Sequence, residues 1–315
     1  MDYTTLGRTN LKISRLALGG WQAHGWERSS PQLFKAVVSC AFDSGITLFD
    51  TAPAYGNGLS ERLLGEVLSG KRAQVVIATK FPHTADTPAK IRASLERSLR
   101  DLATDYVDIF QQHWPAKSLA ADEMLICLER LRDEGKIRAI GVSNWMEPEW
   151  VELQNPERID VLQPCYNLLW RSIERDVLPR CIAHSIGVLC YSPLCQGLLS
   201  GRYAESRVWT DSRKRNRLFQ PQFAEQRNQV LSVLRATAAD HGATPAQVAI
   251  AWILSQPGIS SVLLGTSEPA QLTELMAALE IRLSPPELQA LSASSDSFAR
   301  DWPAHDSLWG WHSKA

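Results

Sequence analysis

Asp50, Tyr55, Lys80 and His113 are residue types that together run a proton-coupled hydride transfer, and three of them finish strand-like runs while Tyr55 follows closely. The runs are residues 46–50, 75–80 and 106–113, each mostly apolar, β-branched or aromatic and each ending in ionisable or polar residues. If the strands are parallel neighbours, residues distant in sequence converge on one mouth. A phenol with a pKa near 10 is a poor acid at neutral pH unless its anion is stabilised. A lysine ammonium about 4 Å away, at an effective dielectric of ~20, supplies on the order of 4 kcal/mol, or about three pK units. Lys80 would therefore ease the ionisation of Tyr55, Asp50 would keep Lys80 charged and oriented, and His113 would hold a substrate oxygen beside the phenol. Each residue alone has a plainer use: Asp50 as a cap, Lys80 as a snorkelling surface residue, His113 as a satisfied strand-end histidine. All four at equivalent strand ends point to a site.

The elements that must position them alternate along the whole chain. Gly7-Arg8-Thr9-Asn10 reads as a hairpin turn, after which strand-like runs start near Leu16, Ile46, Val75, Tyr106, Ile137, Val161, Ile186 and Ser261. Helical periodicity lies between them: Ile91, Leu95, Leu99 and Leu102 share one face, as do Leu125, Leu128 and Leu131. Ser30-Pro31, Thr87-Pro88, Thr244-Pro245 and Ser284-Pro285 mark helix starts, because a hydroxyl caps free N–H groups and proline loses nothing at the first helical position. Eight strand–helix units without a break in composition predict a single (β/α)8 TIM barrel over residues 1–315, with an N-terminal β-hairpin. A doubly wound sheet is the competing architecture. It is weakened because Leu18-Gly19-Gly20-Trp21 lacks the glycine spacing of a dinucleotide fingerprint.

Bulk properties exclude several classes of function. The 315 residues are 44% apolar with a net charge of −1, so no global field recruits nucleic acid or anionic lipid. No run approaches the ~18 apolar residues of a membrane span, and Met1-Asp2-Tyr3-Thr4-Thr5-Leu6 lacks the features of a signal peptide, so a cytoplasmic protein is expected. Six cysteines without a CxxC pair read as reduced core thiols, and the seven scattered histidines suggest no metal site. Two stretches stand apart. Residues 201–222 are rich in arginine and read either as a solvated loop or as a flap over an anionic ligand. The tail, residues 296–315, holds Trp302, Trp309 and Trp311 and is expected to fold across the barrel mouth.

Several segments carry a resemblance. Phe49-Asp50-Thr51-Ala52-Pro53-Ala54-Tyr55-Gly56 followed by Ser60-Glu61, then Thr79-Lys80, Gln112-His113-Trp114-Pro115, residues 137–144, Gln163-Pro164-Cys165-Tyr166-Asn167 and Tyr191-Ser192-Pro193-Leu194 resemble the aldo-keto reductase superfamily. The match runs in order from about Tyr3 to Leu291, in the style of the bacterial, plant and channel-β-subunit branches, and leaves the tail unmatched. The resemblance implies Tyr55 as general acid/base, tuned by Lys80 and Asp50, with His113 as the orienting donor. It implies that Ser143, Asn144 and Gln163 hold a nicotinamide carboxamide, that Tyr191 stacks on the ring, and that Ser192, Leu194, Gly197 and Arg202 line the pyrophosphate path. Trp21 and Trp114 would wall the substrate pocket, with Trp21 also near the cofactor. Many relatives carry an arginine for the 2′-phosphate of NADP just after the glycine that ends the eighth strand. Here Gly265-Thr266-Ser267-Glu268 puts a serine at that position, with Gln271 placed for the adenine edge. NADP(H) is the expected cofactor and NAD(H) the alternative. The function expected is hydride transfer between nicotinamide and a small-molecule carbonyl or alcohol (aldehyde, ketone or sugar). A regulatory subunit resembling channel β-subunits, or a barrel isomerase or lyase using Tyr55 and Lys80 alone, are the readings from other classes.

Overall fold

In the computed structural model a two-stranded antiparallel hairpin, β1 (Tyr3–Thr5) and β2 (Lys12–Ser14), precedes a closed parallel barrel. The barrel strands are β3 (Leu16–Gly19), β4 (Leu48–Asp50), β5 (Val76–Phe81), β6 (Val107–Gln112), β7 (Ile137–Ser143), β8 (Val161–Gln163), β9 (Gly187–Cys190) and β10 (Ile259–Leu264). They pair in sequence order and β10 closes on β3. Helices α1 (Pro31–Asp43), α2 (Leu59–Val67), α3 (Pro88–Leu102), α4 (Ala121–Asp133), α5 (Glu147–Glu152) and α6 (Val177–Ala183) fill the first crossovers. Next come α7 (Ala224–Asp240), α8 (Pro245–Leu254), α9 (Pro269–Met276), α10 (Pro285–Ser294) and α11 (Asp296–Asp301). The structure describes residues 1–26, 29–116, 118–153, 155–202, 212–301 and 307–309. Among these, no helix is long and apolar enough to cross a membrane.

The helix starts follow the hydroxyl–proline pairs. The side chains of Ser30, Thr87 and Thr244 accept from the N–H of Leu33, Lys90 and Gln247, and the Ser284 N–H is held by Glu287 at 2.7 Å. Each such cap contributes about 1 kcal/mol. Five cysteines are buried, Cys40 is partly exposed, and all six are free thiols.

Side-chain alternation along the strands sorts residues into two apolar layers. Leu48, Val76, Ala78, Ile109, Ala139, Val161, Leu189 and Leu263 fill the barrel interior, which Leu6, Leu11 and Ile13 of the hairpin region close from below. Their strand neighbours, such as Phe49, Ile77, Phe81 and Phe110, pack outward against the helices. The same period of two carries the inward face up to the strand ends: Leu48 leads to Asp50, Ala78 to Lys80, Val161 to Gln163 and Leu189 to Tyr191. The hydrophobic pattern that builds the core thus also aims the polar residues into the mouth.

Gly65 fixes how closely α2 lies on α3, because a Cβ there would run into the backbone carbonyl of Leu102. Gly65→Ala is expected to destabilise the fold by about 1–3 kcal/mol through overpacking, read as a lower denaturant midpoint at unchanged slope. An unchanged midpoint would mean the two helices separate without cost.

Candidate active site

Lys80 is fully buried beneath the mouth. Its Nζ donates to both Asp50 oxygens at 2.8 and 2.7 Å, to the Thr51 carbonyl at 3.0 Å and to the Tyr55 hydroxyl at 3.4 Å. Tyr55 stands in the turn after β4, where its N–H bonds the Ala52 carbonyl and where Gly56 and Gly58 take positive φ of 66° and 82°. The ammonium also lies 5.1 Å from the phenol ring centre, and the His113 ring meets Tyr55 edge-on at 5.7 Å.

Burial sets the electrostatics more strongly than the sequence suggests. Desolvation raises the Tyr55 pKa above 10, and the attraction of Lys80 only partly offsets it. Lys80 thus eases the ionisation of the phenol as expected, but burial in the cavity floor outweighs it. Burial, the largest single influence, lowers the Lys80 pKa, but Asp50 and Tyr55 together outweigh it and the ammonium is held above its ordinary value. His113 moves well below 6.5, first because it is buried and then because Lys80 repels a second positive charge. At neutral pH the site thus presents a protonated phenol, an ammonium and a neutral imidazole.

A cavity of about 810 Å³ opens above this group. Asp50, Tyr55 and His113 line it, as do Trp21, Trp114, Ser143, Asn144, Gln163, Tyr191, Ser192, Leu194, Gly197, Arg202, Gly265, Thr266, Ser267 and Gln271. Of the residues singled out from sequence, Lys80 alone lies beneath the lining. Ser60 and Glu61 of the same motif serve the scaffold instead: the Ser60 hydroxyl donates to the Gly20 carbonyl at 3.0 Å, and Glu61 accepts from Thr79 at 2.7 Å.

The polar residues around the mouth are wired to one another. The Gln163 amide donates to Asp50 at 2.7 Å, and the Ser143 hydroxyl donates to the Gln163 carbonyl at 2.9 Å. Asn144, at a positive φ of 62°, donates to the His113 carbonyl at 2.9 Å and accepts from the Tyr191 hydroxyl at 2.6 Å. The Ser267 N–H donates to the Gln271 side chain at 3.1 Å, and Arg202 pairs with Glu274 at 2.8 Å. Thr266 is buried, and its hydroxyl has no partner among the described residues.

Sequence reasoning did not single out Gln22, Trp26, Gln196, Arg213, Arg215 and Glu274 as site residues, though all line the cavity. The arginine density of residues 201–222 was the signal for Arg213 and Arg215. Arg207 of that segment, and Trp302 and Trp311 of the tail, lie outside the described residues. Trp309 does reach the mouth: its indole N–H donates to the Tyr191 hydroxyl at 3.1 Å, and its ring meets Trp21 edge-on at 6.0 Å. Among the described residues, no group of three or more His, Cys, Asp or Glu is placed to hold a metal ion.

The chain resembles known proteins over nearly its full length. The model of the Aldo/keto reductase family matches residues 15–296. The aldo-keto reductase YhdN of Bacillus subtilis is 37% identical over 292 residues, covering 87% of this chain and 88% of the relative. An NADH-specific methylglyoxal reductase of Escherichia coli is 32% identical, covering 95% of this chain and all of the relative. A probable voltage-gated potassium channel subunit beta of Arabidopsis thaliana is 31% identical over 89% of this chain and 92% of its own length. Among solved structures, the glycerol dehydrogenase of Gluconobacter oxydans superposes with a TM-score of 0.84 at 30% identity, covering 96% of this chain and 97% of that one. An eight-stranded barrel, a family match across its strands and relatives of 30% identity or more place the chain in the aldo/keto reductase family of oxidoreductases.

Proposed function

We propose that this chain is an NADP(H)-dependent carbonyl reductase or alcohol dehydrogenase, with Tyr55 as general acid/base. The observation that carries the reading is the Tyr55 hydroxyl at 3.4 Å from a buried ammonium, on the floor of a large cavity lined by polar strand-end residues. The cavity fits a nicotinamide dinucleotide. Among the described residues, the buried Thr266 hydroxyl has no partner and a Cβ at Gly197 would meet nothing within 4 Å. Bound there, the dinucleotide would supply or accept the hydride.

The chain's own residues do the rest. The neutral His113 imidazole donates an N–H to the substrate oxygen and holds it against Tyr55. In reduction the Tyr55 hydroxyl passes its proton to that oxygen as negative charge develops, and the Lys80 ammonium stabilises the phenolate left behind. Asp50 keeps Lys80 in place. Ser143, Asn144 and Gln163 hold the carboxamide, and because Gln163 also bonds Asp50, ring position and tetrad geometry are linked. Trp21 and Trp114 screen the reacting atoms from water, which strengthens each of these interactions.

NADPH is favoured over NADH because Arg202, Arg213 and Arg215 line the cavity along with Ser267, and guanidinium groups are strong phosphate donors. The absent arginine at Ser267 and the carboxylates of Glu268 and Glu274 limit that preference. Steady-state kinetics with both reduced dinucleotides and a panel of aldehydes, ketones and sugars tests the reading. A lower Michaelis constant for NADPH is expected, with a further loss of NADPH use in Ser267→Asp. Equal or better use of NADH by wild type, with a new NADPH preference in Ser267→Arg, would overturn the NADP assignment and leave the reductase standing.

A further inference from the structure

Tyr55 and Lys80 stand on different elements, and the proposed chemistry depends on the distance between them. The ladder between β4 and β5 ends at Asp50 and Ala78, with the Thr51 N–H bonding the Ala78 carbonyl at 2.8 Å. The turn that carries Tyr55 lies past that point and runs into α2, where the Ser60 N–H bonds the Tyr55 carbonyl at 3.2 Å. Glu61 follows in the first turn of α2, fully buried, and accepts from the hydroxyl of Thr79, the residue before Lys80 on β5, at 2.7 Å. Its other oxygen and the hydroxyl of Ser98 on α3 are both buried and lack a hydrogen-bond partner among the described residues, yet Ser98 is near enough to act on the carboxyl. We infer that Glu61 is a positioning residue for the reaction: its carboxyl, set between Thr79 and Ser98, ties the helix behind Tyr55 to the strand that carries Lys80 and so fixes the phenol–ammonium distance; this rests on the reductase reading above.

The chemistry of the carboxyl explains why the tie is made this way. Burial raises the Glu61 pKa by more than the Thr79 and Ser98 hydroxyls lower it, while Asp101 raises it and Arg97 lowers it. The neutral acid is thereby favoured, and its O–H can serve Ser98 while the other oxygen accepts from Thr79. Glutamine offers the same acceptor and a donor in the same shape, whereas alanine removes both. The outer side of the turn is braced separately: Arg97 donates to the Asn57 side chain at 2.6 Å, and Arg62 pairs with Asp101 at 3.4 Å. Loss of the carboxyl should therefore loosen α2 against β5 without releasing the turn from α3. A shift of about 1 Å at a reacting pair can cost ~100-fold in rate. Lengthening the 3.4 Å contact also weakens the pull of Lys80, so the phenol, already above its ordinary pKa, rises further.

The test measures single-turnover rates of carbonyl reduction and alcohol oxidation, the pH profile of oxidation and dinucleotide dissociation constants in Glu61→Ala, Glu61→Gln, Thr79→Val and the double variant Glu61→Ala/Thr79→Val. Glu61→Ala and Thr79→Val are expected to slow both directions roughly tenfold to 100-fold and to move the rise of oxidation to more alkaline pH, with dinucleotide affinity within about threefold of wild type. Glu61→Gln should stay within about threefold of wild type with an unmoved profile. The double variant should cost no more than Glu61→Ala, because the two groups act through one contact. A loss of stability in Glu61→Ala with wild-type rates and profile would make the carboxyl merely structural and overturn the inference. A loss in Glu61→Gln as large as in Glu61→Ala would overturn it too, as would additive losses in the double variant. If Glu61→Ala misfolds, Thr79→Val and Glu61→Gln decide. A wild type that oxidises reduced dinucleotide with no carbonyl would instead overturn the reductase reading, and this inference with it.

Discussion

Tyr55→Phe is expected to lower carbonyl turnover at least ~100-fold while the dinucleotide binds as it does to wild type. The hydroxyl is the group placed to donate the proton, and positioned acids of this kind contribute roughly 10²- to 10⁴-fold. The ring itself should stay in place, since its edge contact with His113 and its position over the Lys80 ammonium need only the aromatic face. The loss should therefore fall on kcat and kcat/KM together, the signature of an interaction made only in the transition state. Single-turnover rates and dinucleotide titrations separate the two quantities. Turnover retained within about threefold would remove Tyr55 from the role of acid, and a matching loss of dinucleotide affinity would mean that the substitution had disturbed the cavity instead.

The barrel was legible because its strands are short apolar runs punctuated by hydroxyl–proline helix starts, signals that act over a few residues. Period-two alternation then placed Asp50, Lys80 and Gln163 on the inward face, since each lies two residues beyond an interior apolar side chain. What the sequence did not give is the balance of opposing effects at one point. The sign of the Tyr55 shift depends on how completely the cavity floor is desolvated, and no local pattern encodes that. The partners of the polar residues were hidden for a similar reason. Gln163 read as a cofactor ligand, yet its amide is engaged by Asp50, a contact across 113 positions. Trp309 reaches Tyr191 across 118 positions, so its tryptophan-rich neighbourhood announced a packing surface without naming it. Trp26 and Glu274 sit in the lining through loop and helix geometry that leaves no spacing motif.

Lys80→Met is expected to cost nearly as much as loss of the phenol hydroxyl, with a dependence on pH and direction that identifies the cause. At 3.4 Å and an effective dielectric of ~20 the ammonium stabilises the phenolate by roughly 5 kcal/mol, or about three and a half pK units. Burial already holds the phenol above its ordinary pKa, and Lys80 is the main influence pulling it back down. Without Lys80 the phenol rises further. Alcohol oxidation needs the phenolate, so its rate climbs with pH through the phenol's pKa, and that climb should move to more alkaline pH in the variant. At neutral pH oxidation should fall ~100-fold or more. Reduction starts from the phenol and should lose only what the ammonium gives the developing phenolate in the transition state. The variant also strands Asp50, nine-tenths or more buried, with the Gln163 and Gln111 amides as its remaining side-chain donors among the described residues, and an unpaired buried charge of this kind destabilises by about 3–5 kcal/mol. The double variant Asp50→Asn/Lys80→Met removes that charge and should recover stability without recovering oxidation. A Lys80→Met protein with wild-type rates and an unmoved pH profile in both directions would end the electrostatic account of the tetrad, and recovery of oxidation in the double variant would assign the defect to Asp50 instead.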